Sequence, residues 1–353
     1  MSELSVISVR VPGKVMLAGE YSVLDGGAAM AVAVARSMTV DVAWANEGAA
    51  DYIGCMVHSE LWPQPGLVSV GSVAADYPTQ PLLAAVAHAL DLFRLPATRV
   101  SVQSELTVSY GIGSSSAIRL GVLMAFSAAS LQRQGRTQTA ADGWFCASEA
   151  LRLQRQAQTQ ASGYDLATQL SGGLCRFKSG PDIAHWPESI ERASDSVLAH
   201  LTKLVRVYVG GAGAPTTPLL LSTLTWLRET AQMPRLHALS DALQSAFTDV
   251  LAAPHQESLV AALAAACGLH RQLFSAAPAF PTALAQDLEV LAGCDRSWSF
   301  KTTGAGGEDA VLLIGGASVT EAAAGILARR GWTLLPGGFT ASGATLLGGM
   351  HHA

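Results

Sequence analysis

The chain has 353 residues, half of them hydrophobic and 14% charged, with a net charge of −5. This composition excludes a disordered chain and predicts a well-buried protein, too long for one typical core and suited to two packed lobes. The charge, with no basic tract, argues against nucleic acid or an anionic membrane as the main partner. It leaves room for an anionic small substrate held by a few local cations.

Residues 6–11 alternate as a strand, Pro12-Gly13 breaks it, and 15–17 resume an apolar run. Leu24-Asp25-Gly26-Gly27 signals a turn, and 28–35 and 38–43 read as two buried strands. Helical spacing predicts a helix over 82–93, ending before Pro96. Residues 99–103 and 106–108 read as a hairpin, 111–116 as a glycine–serine loop and 117–131 as a long apolar helix. A second helix is predicted over 142–160 with Asp142 as its N-cap, and a short one over 165–170 closing at Gly172-Gly173. The polar, weakly periodic stretch 179–194 carries the lobe boundary. The second half opens with a strand at 204–209. Helices follow near 218–230, 236–251, 257–274 and 281–292, then a loop at 301–308, a strand at 310–314, a helix at 319–329 and a last strand at 333–335. Both halves read as α/β.

Cys55, Cys146, Cys175, Cys267 and Cys294 lie far apart and form no CxxC pair. That argues against a disulfide framework or a zinc site and fits a reducing cytosol. The N-terminus lacks the pattern of a signal peptide, and the longest apolar run, 28–35, is too short to span a bilayer. A cytoplasmic location is expected. His351 and His352 read as a frayed tail.

Three loops and one acid carry candidate chemistry. The chain has four lysines against eighteen arginines, and two of the four, Lys14 and Lys301, stand in glycine-bearing loops. A compact ammonium there either approaches a phosphate as a point charge or is solvated at a strand break. In Gly111-Ile112-Gly113-Ser114-Ser115-Ser116-Ala117, glycines precede an apolar helix. Unpaired amides and partial positive charge at such a helix start suit a triphosphate, and a serine hydroxyl can reach a magnesium ion. The alternative is an N-capped helix after a flexible turn. No GK[ST] follows, so the loop is not a Walker A motif. Asp165, just after Ser162-Gly163-Tyr164, is either an N-cap or a catalytic or metal-binding acid. Gly304-Ala305-Gly306-Gly307 suggests close backbone approach to a ligand, or else a tight loop before a strand.

Taken together, Lys14-x-x-x-Ala18-Gly19-Glu20-Tyr21, the loop 111–117 and Gly304-Ala305-Gly306-Gly307 resemble the three GHMP kinase motifs in order. Within that superfamily the chain looks most like the phosphomevalonate kinases. Gly19-Glu20-Tyr21 resembles the first motif of the phosphomevalonate kinases, where mevalonate kinases usually show Gly-Glu-His, and Ser162-Gly163-Tyr164-Asp165-Leu166-Ala167 is similar to the Ser-Gly-Tyr/Phe-Asp-Val-Ala segment of the phosphomevalonate kinases. Residues 210–217 resemble their Gly-x-x-Ala-Ser-Thr stretch loosely. Thr303 and Glu308 depart from the usual serine and glycine of the third motif, and Pro12-Gly13-Lys14 differs from the Trp-Gly-Lys of diphosphomevalonate decarboxylases.

The resemblance implies an α/β, two-lobed GHMP kinase fold: a ribosomal-S5-domain-2-like ATP-binding lobe over 1–190 and a ferredoxin-like lobe over 191–353. It implies ATP and Mg²⁺ as cofactors and 5-phosphomevalonate as the phosphate acceptor. Gly111, Gly113, Ser114, Ser115, Ser116 and Ala117 would bind ATP, with Ser115 on the metal; Lys14 and Asp165 would be catalytic. Lys14, Tyr21, Ser162, Gly304, Ala305, Gly306 and Lys301 would hold the substrate, with Arg119 or Arg152 as further phosphate-binding cations. Mevalonate or another small acceptor, and a non-catalytic metabolite sensor on the same fold, are the competing readings.

Overall fold

The computed structural model describes residues 4–45, 54–60, 62–69, 71, 80–96, 98–158, 160–210, 216–253, 257–278, 283–294, 297–304, 306, 310–316 and 320–347. Ala305, Gly307 and Glu308 of the third loop, residues 211–215, the Cys294 side chain and the His351-His352 tail lie outside them.

Two long strands, β1 (Leu4–Ala18) and β2 (Ala28–Ala45), pair antiparallel over their whole length. Each was expected as two shorter strands. Pro12 has no N–H to give the ladder, and a bulge absorbs it: the register jumps from Pro12↔Ser37 to Gly13↔Val34. The two β2 residues skipped there, Ala35 and Arg36, stand at the junction of the two expected strands, 28–35 and 38–43. The backbone N–H of Ala35 donates instead to Gly338 O at 2.9 Å.

The bend lets β2 serve three neighbours. Its start pairs with β6 (Leu174–Lys178), and its end pairs with β5 (Thr98–Ser104). β3 (Gly54–Ser59) joins β5 in parallel, β4 (Trp62–Ser69) pairs with β3, β7 (Ser189–Arg192) with β6, and β12 (Thr345–Leu347) with β1. The expected hairpin is absent: residues 108–110 form a 3₁₀ turn, Val108–Tyr110, ahead of the glycine–serine loop. A division at residue 190 falls inside β7, and β12 returns to this first sheet from the far end of the chain.

Helices α1 (Pro81–Phe93), α2 (Ser114–Arg133), α3 (Ala140–Ala157) and α4 (Tyr164–Ser171) cover the first sheet. Among the described residues, α2 alone is long and apolar enough to cross a membrane, and here it is the buried core helix between the sheet and its neighbours. At α3 the expected N-cap is displaced. Thr139 caps the helix and Asp142 is the third residue of the capping box, accepting from Thr139 N at 2.7 Å.

The second sheet is antiparallel, in the order β11 (Thr333–Leu334), β8 (Val205–Val209), β10 (Ala310–Ile314), β9 (Ser299–Thr302). β10 is buried on both faces. Ala310, Leu312 and Ile314 join the main core, while Val311 and Leu313 pack with Leu288 of α9 (Ala283–Cys294) and Leu327 of α10 (Glu321–Arg329). This period-two division is why the run carries no polar residue. The unexpected α5 (Asp195–Leu204) precedes β8, and α6 (Thr216–Glu229), α7 (Met233–Ala252) and α8 (Glu257–Phe274) follow it. α7 packs on β1 and β2, and α8 on β9, so this pair joins the two sheets. Lys301, expected in a loop, is in β9.

Candidate active site

A cleft of about 250 Å³ lies where the ends of β1, α2 and α4 meet. Lys14, Tyr21, Gly111, Gly113, Ser114, Ser115, Ser116, Ser162, Asp165 and Gly304 all line it. Residues far apart in sequence therefore share one space.

The glycine–serine loop is tied to β1 from both sides. The backbone N–H of Lys14 donates to Ile112 O at 2.8 Å, and Lys14 Nζ donates to Gly111 O at 3.2 Å. Gln169 Nε2 of α4 donates to Gly113 O at 2.9 Å. Gly113 has φ +88°, and a Cβ there would stand 2.9 Å from Gln169 Nε2 and 3.0 Å from Lys14 Cε. Only glycine gives the loop both that backbone and that closeness. Ala117 N already donates to Gly113 O at 3.0 Å, as the fourth residue of a helix must. The amides of Ser114, Ser115 and Ser116 precede the first helical hydrogen bond, so Ala117 drops out as an anion donor. Ser116 Oγ is turned inward onto Gly113 O at 3.0 Å, leaving its amide as what it can offer the cleft.

Ser115 is exposed at the loop's tip, and its Oγ accepts a hydrogen bond from Arg119 Nη1 at 2.5 Å. A cation thus stands against the hydroxyl expected to hold magnesium. Arg119 lies one turn along α2 and is buried, whereas Arg152 is half exposed and pairs with Glu149 at 3.3 Å.

Asp165 is not an N-cap: α4 is capped by Gly163, at φ +80°. Asp165 is buried, its Oδ2 accepts from Gln154 Nε2 at 3.1 Å, and its Oδ1 has no hydrogen-bond partner. Gly163 is required by its neighbour, because a Cβ there would lie 2.8 Å from the Trp186 ring. Trp186 Nε1 in turn donates to Ser162 O at 2.8 Å, holding the segment that presents Asp165. Beside it the Tyr164 ring lies 5.1 Å from Lys14 Nζ, a cation–π distance.

The third loop reaches the first through buried bonds. Thr303 Oγ1 accepts from Met16 N at 3.1 Å and donates to Met16 O at 2.9 Å. Its hydroxyl satisfies both backbone groups, so serine keeps the clamp and valine strands two buried polar groups. Thr303→Val is expected to lower unfolding free energy by about 1–3 kcal/mol in urea titrations, with Thr303→Ser close to wild type. An unchanged midpoint for the valine variant would refute the clamp.

Lys301, expected to hold substrate, is engaged within the fold. It is 1% exposed, forms an ion pair with Glu20 of the first motif, and donates to Thr302 O at 3.0 Å. It does not line the cleft. The pair joins the two sheets instead. His270 Nε2 of α8 lies 3.8 Å from Glu20 Oε2. Burial first, then the Lys301 and Arg271 cations, depress the imidazole to about 3. Folded His270 is therefore neutral while its unfolded counterpart takes a proton near 6.5, so stability falls as pH drops from 6.5 towards 3. Between pH 7 and pH 5 this group removes about 2 kcal/mol. His270→Asn is expected to flatten that part of the pH–stability curve in urea midpoints; an unaltered slope would refute the assignment.

Tyr21 takes φ +61°, packs on Phe274 with ring centroids 5.5 Å apart, and is raised to about 12 chiefly by burial, so it meets the cleft as a neutral phenol. The buried thiols of Cys55, Cys146, Cys175 and Cys267 are pushed up to about 11 to 12, mainly by burial, and do not line the cleft. Three residues the motifs did not single out also shape the site. Gln154 and Gln169 carry no sequence signal, and Trp186 lies in the stretch 179–194, read only as polar and weakly periodic.

No family model matches the chain. It is 28% identical over 286 residues to the phosphomevalonate kinase of Streptomyces sp. (strain CL190), covering 68% of this chain and 71% of that one. Among solved structures it is similar to the Methanococcus jannaschii mevalonate kinase, with TM-score 0.68, 16% identity and coverage of 93% and 96%. It is similar also to the Streptococcus pneumoniae phosphomevalonate kinase in complex with phosphomevalonate and AMPPNP, with TM-score 0.65, 17% identity and coverage of 93% and 98%. In sequence the chain is thus similar to a phosphomevalonate kinase, and it shares the two-lobed α/β fold of the solved mevalonate and phosphomevalonate kinases.

Proposed function

We propose that this chain is an ATP-dependent kinase that transfers the γ-phosphoryl group to the terminal phosphate of 5-phosphomevalonate, giving a diphosphate. The observation that carries the kinase reading is the convergence of Lys14, the free amides of residues 114–116 and Asp165 on one cleft. The acceptor rests on the sequence likeness to a phosphomevalonate kinase. Fold likeness does not choose between acceptors, since mevalonate and phosphomevalonate kinases match about equally.

Phosphoryl transfer needs in-line positioning and charge neutralisation. The loop amides cradle the triphosphate at the start of α2. Lys14, held between Gly111 O and the Tyr164 ring, bridges acceptor and γ-phosphoryl oxygens. Gly304, which lines the cleft, would border the acceptor. The donor set fits magnesium in part: the unpartnered Asp165 Oδ1 is a suitable hard ligand, while Ser115 Oγ faces a guanidinium. Bound with the nucleotide, the ion would rest on Asp165 and neutralise phosphate charge.

The test is ADP release from Mg·ATP with 5-phosphomevalonate, mevalonate, homoserine, galactose or no acceptor. Release with 5-phosphomevalonate alone, and a diphosphate product by mass, is the expected result. Release with mevalonate alone keeps the kinase and overturns the acceptor. ATP binding without release to any acceptor overturns the proposed acceptor and favours a sensor.

A further inference from the structure

Arg119, expected as a further phosphate-binding cation, is buried behind the loop and does not line the cleft. It is 5% exposed, and its Nη1 donates to Ser115 O at 3.1 Å and to Ser115 Oγ at 2.5 Å. Its Nε is buried without a hydrogen-bond partner. Burial works against its charge, and the nearby Asp165 carboxylate supports it. Across the same loop Asp165 Oδ1 is also buried and unpartnered. Desolvated charges of this kind are costly unless something answers them.

The cleft is poor in metal ligands. Among the described residues its lining carboxylates are Glu20 and Asp165, and Glu20 is committed to Lys301. Gln154, beside Asp165, is a neutral amide. Ser115 Oγ already receives a charged hydrogen bond, so a metal ion on that oxygen would be pressed against a guanidinium. The same bond leaves the Ser115 hydroxyl hydrogen free to point at an anion.

Resting on the reading of this cleft as a nucleotide site, we propose that Arg119 is a positioning residue that gives the phosphate loop a fixed positive charge through Ser115. In consequence the chain binds nucleoside triphosphate without a divalent metal, and Ser115 donates to a phosphate oxygen rather than ligating magnesium. Part of the phosphate charge that a metal ion would neutralise is instead met from within α2.

The experiment is calorimetric titration of the intact chain with ATP, in EDTA and in excess Mg²⁺. Wild type is expected to bind metal-free ATP within about tenfold of its Mg·ATP affinity. Arg119→Met is expected to weaken metal-free binding by at least about tenfold while changing Mg·ATP binding less, and Arg119→Lys to recover part of the loss. Ser115→Ala should leave the Mg²⁺ half-saturation of ADP release within about twofold, since no metal ligand is lost. Equal losses for Arg119→Met in both titrations would mark a purely structural arginine and overturn the proposal. A rise of about tenfold or more in Mg²⁺ half-saturation for Ser115→Ala would do the same. The wild-type arm needs no variant: ATP binding that requires Mg²⁺ overturns this inference alone. Absence of binding in both titrations overturns the nucleotide reading and this inference with it.

Discussion

Lys14→Met is expected to lower kcat by about 10³-fold while leaving the affinity for ATP within a few-fold, because the ammonium acts on charge that develops in transfer. The geometry makes this a clean substitution. Lys14 is buried, its stem packs against Gly113, and its head lies over the Tyr164 ring. Methionine keeps the stem and loses the charge, its interaction with Tyr164 and the hydrogen bond to Gly111 O, itself 3.2 Å long. Removing a desolvated cation costs the fold little and can stabilise it, so the thermal midpoint should hold or rise as activity falls. Lys14→Arg is not expected to restore the rate, since a planar fork cannot take the place of a compact ammonium in a space that tight. ADP release under saturating ATP and acceptor measures the effect. A kcat within tenfold of wild type would remove Lys14 from the chemistry.

How far the sequence carried this picture depends on the kind of signal each residue leaves. The helices around the site were legible where apolar periodicity was long, as in α1, α2, α7 and α8. The loop motifs were legible because backbone demands select glycine, and Gly113 and Gly163 both take left-handed φ against close neighbours. Pro12 misled in the opposite direction: a missing N–H reads as a strand break, yet the bulge opposite it let β1 continue. β3, β4 and β6 were missed because their pairing, β3 with β5, β4 with β3 and β6 with β2, is set by tertiary context rather than by local pattern. Lys301 was misplaced for a related reason. Its rarity and its glycine neighbours suggested a ligand-facing cation, but its partner Glu20 stands 281 positions away in sequence, and nothing local reports such a pair. Arg119 shows the same blindness, since a helix arginine looks solvated until the fold buries it beneath Ser115.

Asp165→Asn is expected to lower kcat by about 10²-fold, and the shape of its pH profile tells which role the carboxylate plays. The fold should tolerate the change. Gln154 donates its amide to Asp165 Oδ2 while its own Oε1 has no partner, so a flip of the Gln154 amide offers that oxygen to the new Asn amide. The loss then reports charge rather than collapse. A phosphate-monoester acceptor has its second pKa near ~6 and is already largely dianionic at neutral pH, so it needs no base. With 5-phosphomevalonate, wild type and Asp165→Asn should therefore share one acid limb, set by the acceptor, with the variant's plateau lowered throughout. A hydroxyl acceptor would behave differently: the carboxylate would take its proton, and the variant would lose the acid limb that wild type shows. A kcat for Asp165→Asn within a few-fold of wild type would sink both roles and leave the buried, unpartnered Oδ1 without a function in transfer.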